Sequence, residues 1–230
     1  MFVGIRTRQH RQFLWATPLV FAALWLSYVV AAVQAPAGRI AATLDWGVLT
    51  GGLDSIQAWR EAFADGSVLR LFSGLFLHAD WIHLLGNLVF LLIFGLPAER
   101  TMGGWRLVLL FLLGGAFSNL AAVLAIGAPD RVVIGASGAV SSLIGAYLAL
   151  FPGARLGVVL PLGLFLQFVR VPAFLLIGMW ALLQLGFAYG GPAFGAVAWP
   201  AHIAGFVFGV LFALLTRAAI ARRLRRSRGY

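Results

Sequence analysis

Ser137 and His202 are two residues whose types can exchange a proton, and each opens an apolar stretch long enough to cross a bilayer. Their surroundings read Gly135-Ala136-Ser137-Gly138 and Ala201-His202-Ile203-Ala204-Gly205. A serine hydroxyl is a weak nucleophile until a positioned base takes its proton, and an imidazole is the commonest such base. Attack on a carbonyl then develops an oxyanion that needs donors already in place. Ser137 at a helix start offers free backbone N–H groups and a favourable dipole. His83 and Asn87, four residues apart and so on one helix face, add side-chain donors, and His78 lies just before them. The chemistry this set suits is acyl transfer through a Ser–His dyad. A third, acidic member is not expected, because every Asp and Glu falls in a loop or near a span end. The serine text is not the Gly-x-Ser-x-Gly elbow of soluble hydrolases, since position 139 is Ala and no strand precedes it.

The elements that must position these residues are membrane spans. Of 230 residues, 62% are hydrophobic and only 10% charged, with a mean hydropathy of +0.96. Soluble domains carry about a quarter charged residues. One span needs about 20 apolar residues, so the chain has room for six with short connections. The expected spans are 13–33, 76–97, 105–126, 135–151, 172–189 and 199–215, inside a membrane domain of 13–216. Residues 1–12 form an N-terminal segment and 217–230 a basic tail. The first apolar run could be a cleaved signal, but it exceeds the usual ~7–15 residues of one and reads better as a retained anchor. The loop 34–70 holds Trp46 and Trp59 and is expected partly in the headgroup layer. Residues 155–170 are apolar but short, with Pro161 inside, and read as an interfacial or re-entrant piece. With no cysteine in the chain, disulfides and Cys-based zinc sites are excluded.

Charge placement sets the orientation. With the N-terminus inside, 13 arginines fall on inner segments and 4 on outer ones, while Glu99 is the one acid on the inner side. That asymmetry follows the positive-inside rule and explains the net charge of +10 without nucleic-acid binding. The basic tail reads as a topology signal and an attraction to anionic lipid. Spans two, four and six then run from outside to inside, which brings His78, His83, Asn87, Ser137 and His202 to one level below the outer surface. Ionisable residues at such depth are costly and point to function. Lipid supplies little hydrophobic drive between helices, so close crossing relies on small residues. Ser137, Ser141 and Gly145 form one such stripe, and Gly205 and Gly209 another.

The three motifs together, His78-x4-His83-x3-Asn87, Gly135-Ala-Ser137-Gly138 and Ala201-His202-x2-Gly205-x3-Gly209, resemble those of rhomboid intramembrane serine proteases. Arg70 and the Glu99-Arg100 pair add to the likeness, which covers about Arg70 to Leu215. The resemblance implies an all-α bundle of six transmembrane helices of the bacterial type. It implies Ser137 as nucleophile and His202 as general base. His83, Asn87 and the Ser137 N–H would form the oxyanion hole, with His78, Gly135, Gly138 and Gly205 in support. It also implies an inner-membrane protein with both termini cytoplasmic, and single-span membrane proteins as substrates, cut within or beside the span. No metal or other cofactor is implied, and the oligomeric state stays open. Two positions depart from some relatives: Ser141 stands where an aromatic often stacks on the base, and Leu69 precedes Arg70 in place of Trp.

Water must reach the dyad from the outer face. The Gly190–Pro200 segment is a candidate cap and span five a candidate lateral gate, although its glycines suit an ordinary turn equally well. Two other classes remain open. A transporter would use His202, His83 and Asn87 along a proton or solute path, with polar residues at several depths and often an inverted repeat. A non-catalytic rhomboid-like binder of membrane helices has no need of an intact Ser–His pair. Paired intramembrane aspartates and a His-Glu-x-x-His text, the marks of other membrane proteases, are absent.

Overall fold

Helix is the fold's main solution because backbone polar groups in lipid must be satisfied within each segment. The computed structural model describes residues 13–51, 53, 55–126, 131–162, 165–190 and 199–227. Helix α1 (Ala16–Ala32) has no capping side chain of its own. The carboxylate of Glu99 does that work from 82 to 84 residues away, accepting the N–H groups of Trp15, Ala16 and Thr17 at 2.8 Å each. Glu99 is buried, and its charge sits at the positive end of the α1 dipole.

The outer loop contains α2 (Pro36–Trp46) and α3 (Ile56–Ala64). Pro36 suits a first turn, where its missing N–H is not needed. Ser55 caps α3 by accepting the Ala58 N–H. Between the two helices, β1 (Val48–Leu49) pairs antiparallel with β2 (Val132–Val133). A turn of helix, α4 (Arg70–Ser73), then leads toward the second span.

That span is one continuous helix, Trp81–Met102. It comprises α5 (Trp81–Phe90), a wider π-type turn at Leu91–Gly95, and α6 (Leu96–Met102). The widening falls just before Pro97, which has no N–H to donate and whose ring crowds the preceding turn. The helix starts five residues later than the expected Phe76, because Asp80 is its N-cap and Leu77 is extended. It ends at Gly103, with φ +91°, where a Cβ would meet the Arg223 guanidinium. Arg223 in turn donates to the carbonyls of Arg100 and Thr101.

Helix α7 (Gly104–Ala125) and α8 (Ser137–Leu150) follow. Every residue of α8 from Gly138 to Tyr147 is buried, which makes it the central element. Its 14 residues rise about 21 Å, short of a ~30 Å hydrocarbon core. The chain then forms an antiparallel hairpin of β3 (Arg155–Leu162) and β4 (Phe165–Pro172) over the short apolar run with Pro161 inside. Its Val and Phe content favours strand, and Pro161 is tolerated because a two-stranded ribbon always has a free edge.

Helix α9 (Ala173–Gly190) and α10 (Trp199–Ser227) complete the bundle. Apolar character ends near Leu215, but α10 runs on through the basic stretch to Ser227. Buried Ile220, and Leu224 packed on the core, hold that extension down. Among the described residues, three helices are long and apolar enough to cross a membrane: Trp81–Met102, Gly104–Ala125 and Trp199–Arg225. The shorter apolar helices Ala16–Ala32, Ser137–Leu150 and Ala173–Leu182 belong to the same bundle. Large apolar side chains such as Leu26, Trp105 and Leu215 point outward, as a lipid-facing surface requires. The protein is an all-α integral membrane bundle, with two antiparallel pairings, β1–β2 and β3–β4, beside it among the described residues.

Candidate active site

The chain reaches Ser137 along a path that permits little choice of residue. Strand β2 carries it past the outer loop, and the Gly135 N–H donates to the Gly74 carbonyl at 2.9 Å. Gly135 has φ +115°, and a Cβ there would lie 2.6 Å from Cε1 of His83. Only glycine combines that backbone with so close a ring. Next, the Ala136 N–H points at Nε2 of His78 over a long 3.5 Å. Ser137 then begins α8, so its own N–H has no acceptor within the helix.

His83 is aimed by the start of α5. Asp80 accepts the His83 backbone N–H at 2.8 Å, and the His83 ring packs across His78 with centroids 5.1 Å apart. Asn87 follows one turn on, buried, and its Nδ2 has no hydrogen-bond partner among the described residues. A buried amide left without a partner costs about 1–3 kcal/mol. That loss is recovered when an acceptor enters beside it.

Nε2 of His202 lies 2.8 Å from Oγ of Ser137 across 65 residues of sequence. The distance falls within the ~2.6–3.2 Å window for direct proton transfer. The crossing of α8 and α10 makes it possible. A Cβ on Gly205 would strike the Gly138 carbonyl and the Ser118 hydroxyl, and one on Gly209 would strike the Ser142 carbonyl. Gly145 meets the Phe206 backbone in the same way. The stripe that meets the α10 glycines therefore includes Gly138 and Ser142, not Ser137 and Ser141 as expected. Ser137 and Ser141 are turned about a quarter revolution away, toward an open cavity. Ser141 bonds back to the Ser137 carbonyl at 2.7 Å.

That cavity, about 220 Å³, is lined by Ser137, His202, His83 and Asn87 together with an apolar wall that includes Ile82, Phe90, Val140, Ile144 and Trp180. The sequence-derived set of Ser137, His202, His83 and Asn87 thus meets in one place. His78 stands behind it, and Gly135, Gly138 and Gly205 are the close approaches that let it assemble. Among the described residues no Asp or Glu lines the cavity, and no three His, Asp or Glu side chains form a group able to hold a metal ion.

Sequence reasoning missed several contributors. Trp199 packs perpendicular to His202, with ring centroids 5.7 Å apart, and Trp180 reaches the cavity from α9. The three-residue spacing of Trp199 and His202 at a helix start was the available signal. Asp80, directly before an apolar run, carried the ordinary mark of an N-cap. Of the candidate cap Gly190–Pro200, residues 191–198 lie outside the described residues.

The arrangement of a hydroxyl and an imidazole in contact beside one apolar-walled cavity can be set beside the known proteins this chain resembles. The Rhomboid domain family model matches residues 65–219. The chain is 33% identical over 90 residues to RHOMBOID-like protein 5 of Arabidopsis thaliana, covering 39% of this chain and 29% of that one. With the putative rhomboid protease YdcA of Bacillus subtilis it shares 33% identity over 96 residues, 41% of this chain and 47% of the relative. Rhomboid-like protein 11, chloroplastic, of Arabidopsis thaliana is 34% identical over 144 residues, 61% of this chain and 49% of its own length. The matched stretches thus span less than half of each of these relatives. With the family match extending over well beyond half of its length, the chain belongs to the rhomboid family.

Proposed function

We propose that this protein is an intramembrane serine endopeptidase that cleaves membrane-anchored proteins within or next to their transmembrane segments. The observation that carries the reading is the 2.8 Å approach of His202 Nε2 to Ser137 Oγ at the floor of the cavity. Neutral His202, its proton on Nδ1, takes the hydroxyl proton as Oγ attacks the scissile carbonyl. The oxyanion that forms accepts hydrogen bonds from Asn87 Nδ2, the Ser137 N–H and His83. His202 then returns its proton to the leaving amine, and water releases the acyl group by the same route in reverse.

The substrate is a single-span protein whose helix must unwind locally, since a helical peptide bond is shielded. Helix-weakening Gly or Pro near the scissile bond helps, and the modest cavity favours a small residue at the cleaved position. The family resemblance points to a bacterial inner-membrane protein with membrane domain 13–216 and basic tail 217–230, and the charge asymmetry orients it. Both termini then lie in the cytoplasm and the site near the outer face. The test is cleavage of a single-span reporter protein in proteoliposomes, with products mapped by mass spectrometry. Cleavage lost in Ser137→Ala and His202→Ala is expected. Cleavage that persists in Ser137→Ala, or none by the wild-type protein on a panel of single-span reporters, refutes the proposal.

A further inference from the structure

The imidazole of His202 must hold one orientation while Ser137 gives up its proton, and among the described residues the cavity lining holds no carboxylate. Ser141 faces the same space, but its hydroxyl is engaged with the Ser137 carbonyl, and it offers no ring surface. Among the described residues, Trp199 packs its ring on His202 at 5.7 Å and 89°. Both belong to the first turn of α10, three residues apart and so on one helix face. Pro200 between them fixes the backbone φ in that turn, which limits how far the two rings can drift apart. Perpendicular packing is a preferred arrangement for aromatic pairs, and rotating the imidazole would forfeit it.

We infer that Trp199 is a positioning residue, holding the His202 imidazole with Nε2 directed at the Ser137 hydroxyl. The inference rests on Ser137 and His202 being nucleophile and base. Trp199 is absent from the cavity lining, so it acts on the reacting atoms only through His202. Its loss should therefore reach kcat and spare substrate binding.

The test combines cleavage kinetics with ¹⁵N-histidine NMR of the full chain in micelles, with His202 assigned through His202→Gln. Trp199→Ala is expected to lower kcat about three- to tenfold and to leave KM within about twofold. It should also shift the His202 ring resonances. Trp199→Phe, which keeps an aromatic neighbour, should recover most of the rate. Unmoved His202 resonances in Trp199→Ala overturn the inference, as does a wild-type kcat. A loss that appears in KM, or one that Phe leaves unrepaired, marks general packing and overturns it too. Should the wild-type protein show no Ser137-dependent cleavage, the proposed function fails, and the resonances alone decide whether Trp199 orients the ring.

Discussion

Gly205→Ala tests whether the α8–α10 crossing sets the reacting distance. The added methyl would overlap the Gly138 carbonyl, which is backbone and cannot turn aside, as well as the Ser118 hydroxyl. Reaching ordinary van der Waals separation requires α10 to retreat by about 1 Å, a displacement of the size that costs about 10²-fold in rate. His202 lies less than one turn away on the same helix, so it moves with Gly205. The 2.8 Å contact to Ser137 then opens to nearly 4 Å, beyond the reach of direct proton transfer. A hundredfold loss corresponds to about 2.7 kcal/mol of barrier. The assay is kcat/KM for reporter cleavage in micelles, with thermal unfolding recorded in parallel. Gly153→Ala is the control, since a Cβ there meets nothing within 4 Å. Wild-type kcat/KM in a folded Gly205→Ala protein, or an equal loss in Gly153→Ala, would show that close packing does not govern the site.

Two further outcomes follow from the same geometry. Asn87→Ala removes a cavity donor that has no other partner among the described residues. It should lower kcat by about 10²–10³ with little change in KM, as measured by steady-state cleavage. Glu99→Ala leaves three buried or half-buried N–H groups of α1 without their acceptor. At about 1–3 kcal/mol for each such group, the variant should unfold well below the wild-type midpoint in a detergent thermal melt. An unchanged midpoint would mean that the cap does not hold α1 in place.

How far each feature could be read from sequence depended on whether its cause was local. The apolar runs were local patterns, so the helices fall where the runs do, although the second starts five residues late and α10 runs 12 residues past Leu215. Ser137 and His202 could be matched because each opens such a run, and depth in a membrane acts as a coordinate. Other features arise from contacts distant in sequence. Nothing near Glu99 announces that it caps a helix starting more than 80 residues earlier. The pairing of Val48 with Val133 involves strands of two residues, too short for any periodicity. Of the expected stripe Ser137, Ser141 and Gly145, only Gly145 meets the α10 backbone, while Gly138 and Ser142 face Gly205 and Gly209. The run 155–170 had no decisive period, and short apolar stretches of that kind do not separate strand from other buried forms. That the basic stretch continues α10 could not be read from hydropathy, which reports burial in lipid and is blind to a helix held by Ile220 and Leu224.

Covalent labelling measures the nucleophile without requiring a known substrate. Purified protein in detergent is treated with a fluorophosphonate, and the adduct is located by peptide mass spectrometry. The account predicts modification at Ser137, none in Ser137→Ala, and a rate in His202→Ala lower by at least about 10²-fold, the lower bound for a general base. Adducts confined to other residues, or equal labelling rates in the wild-type and His202→Ala proteins, would contradict it.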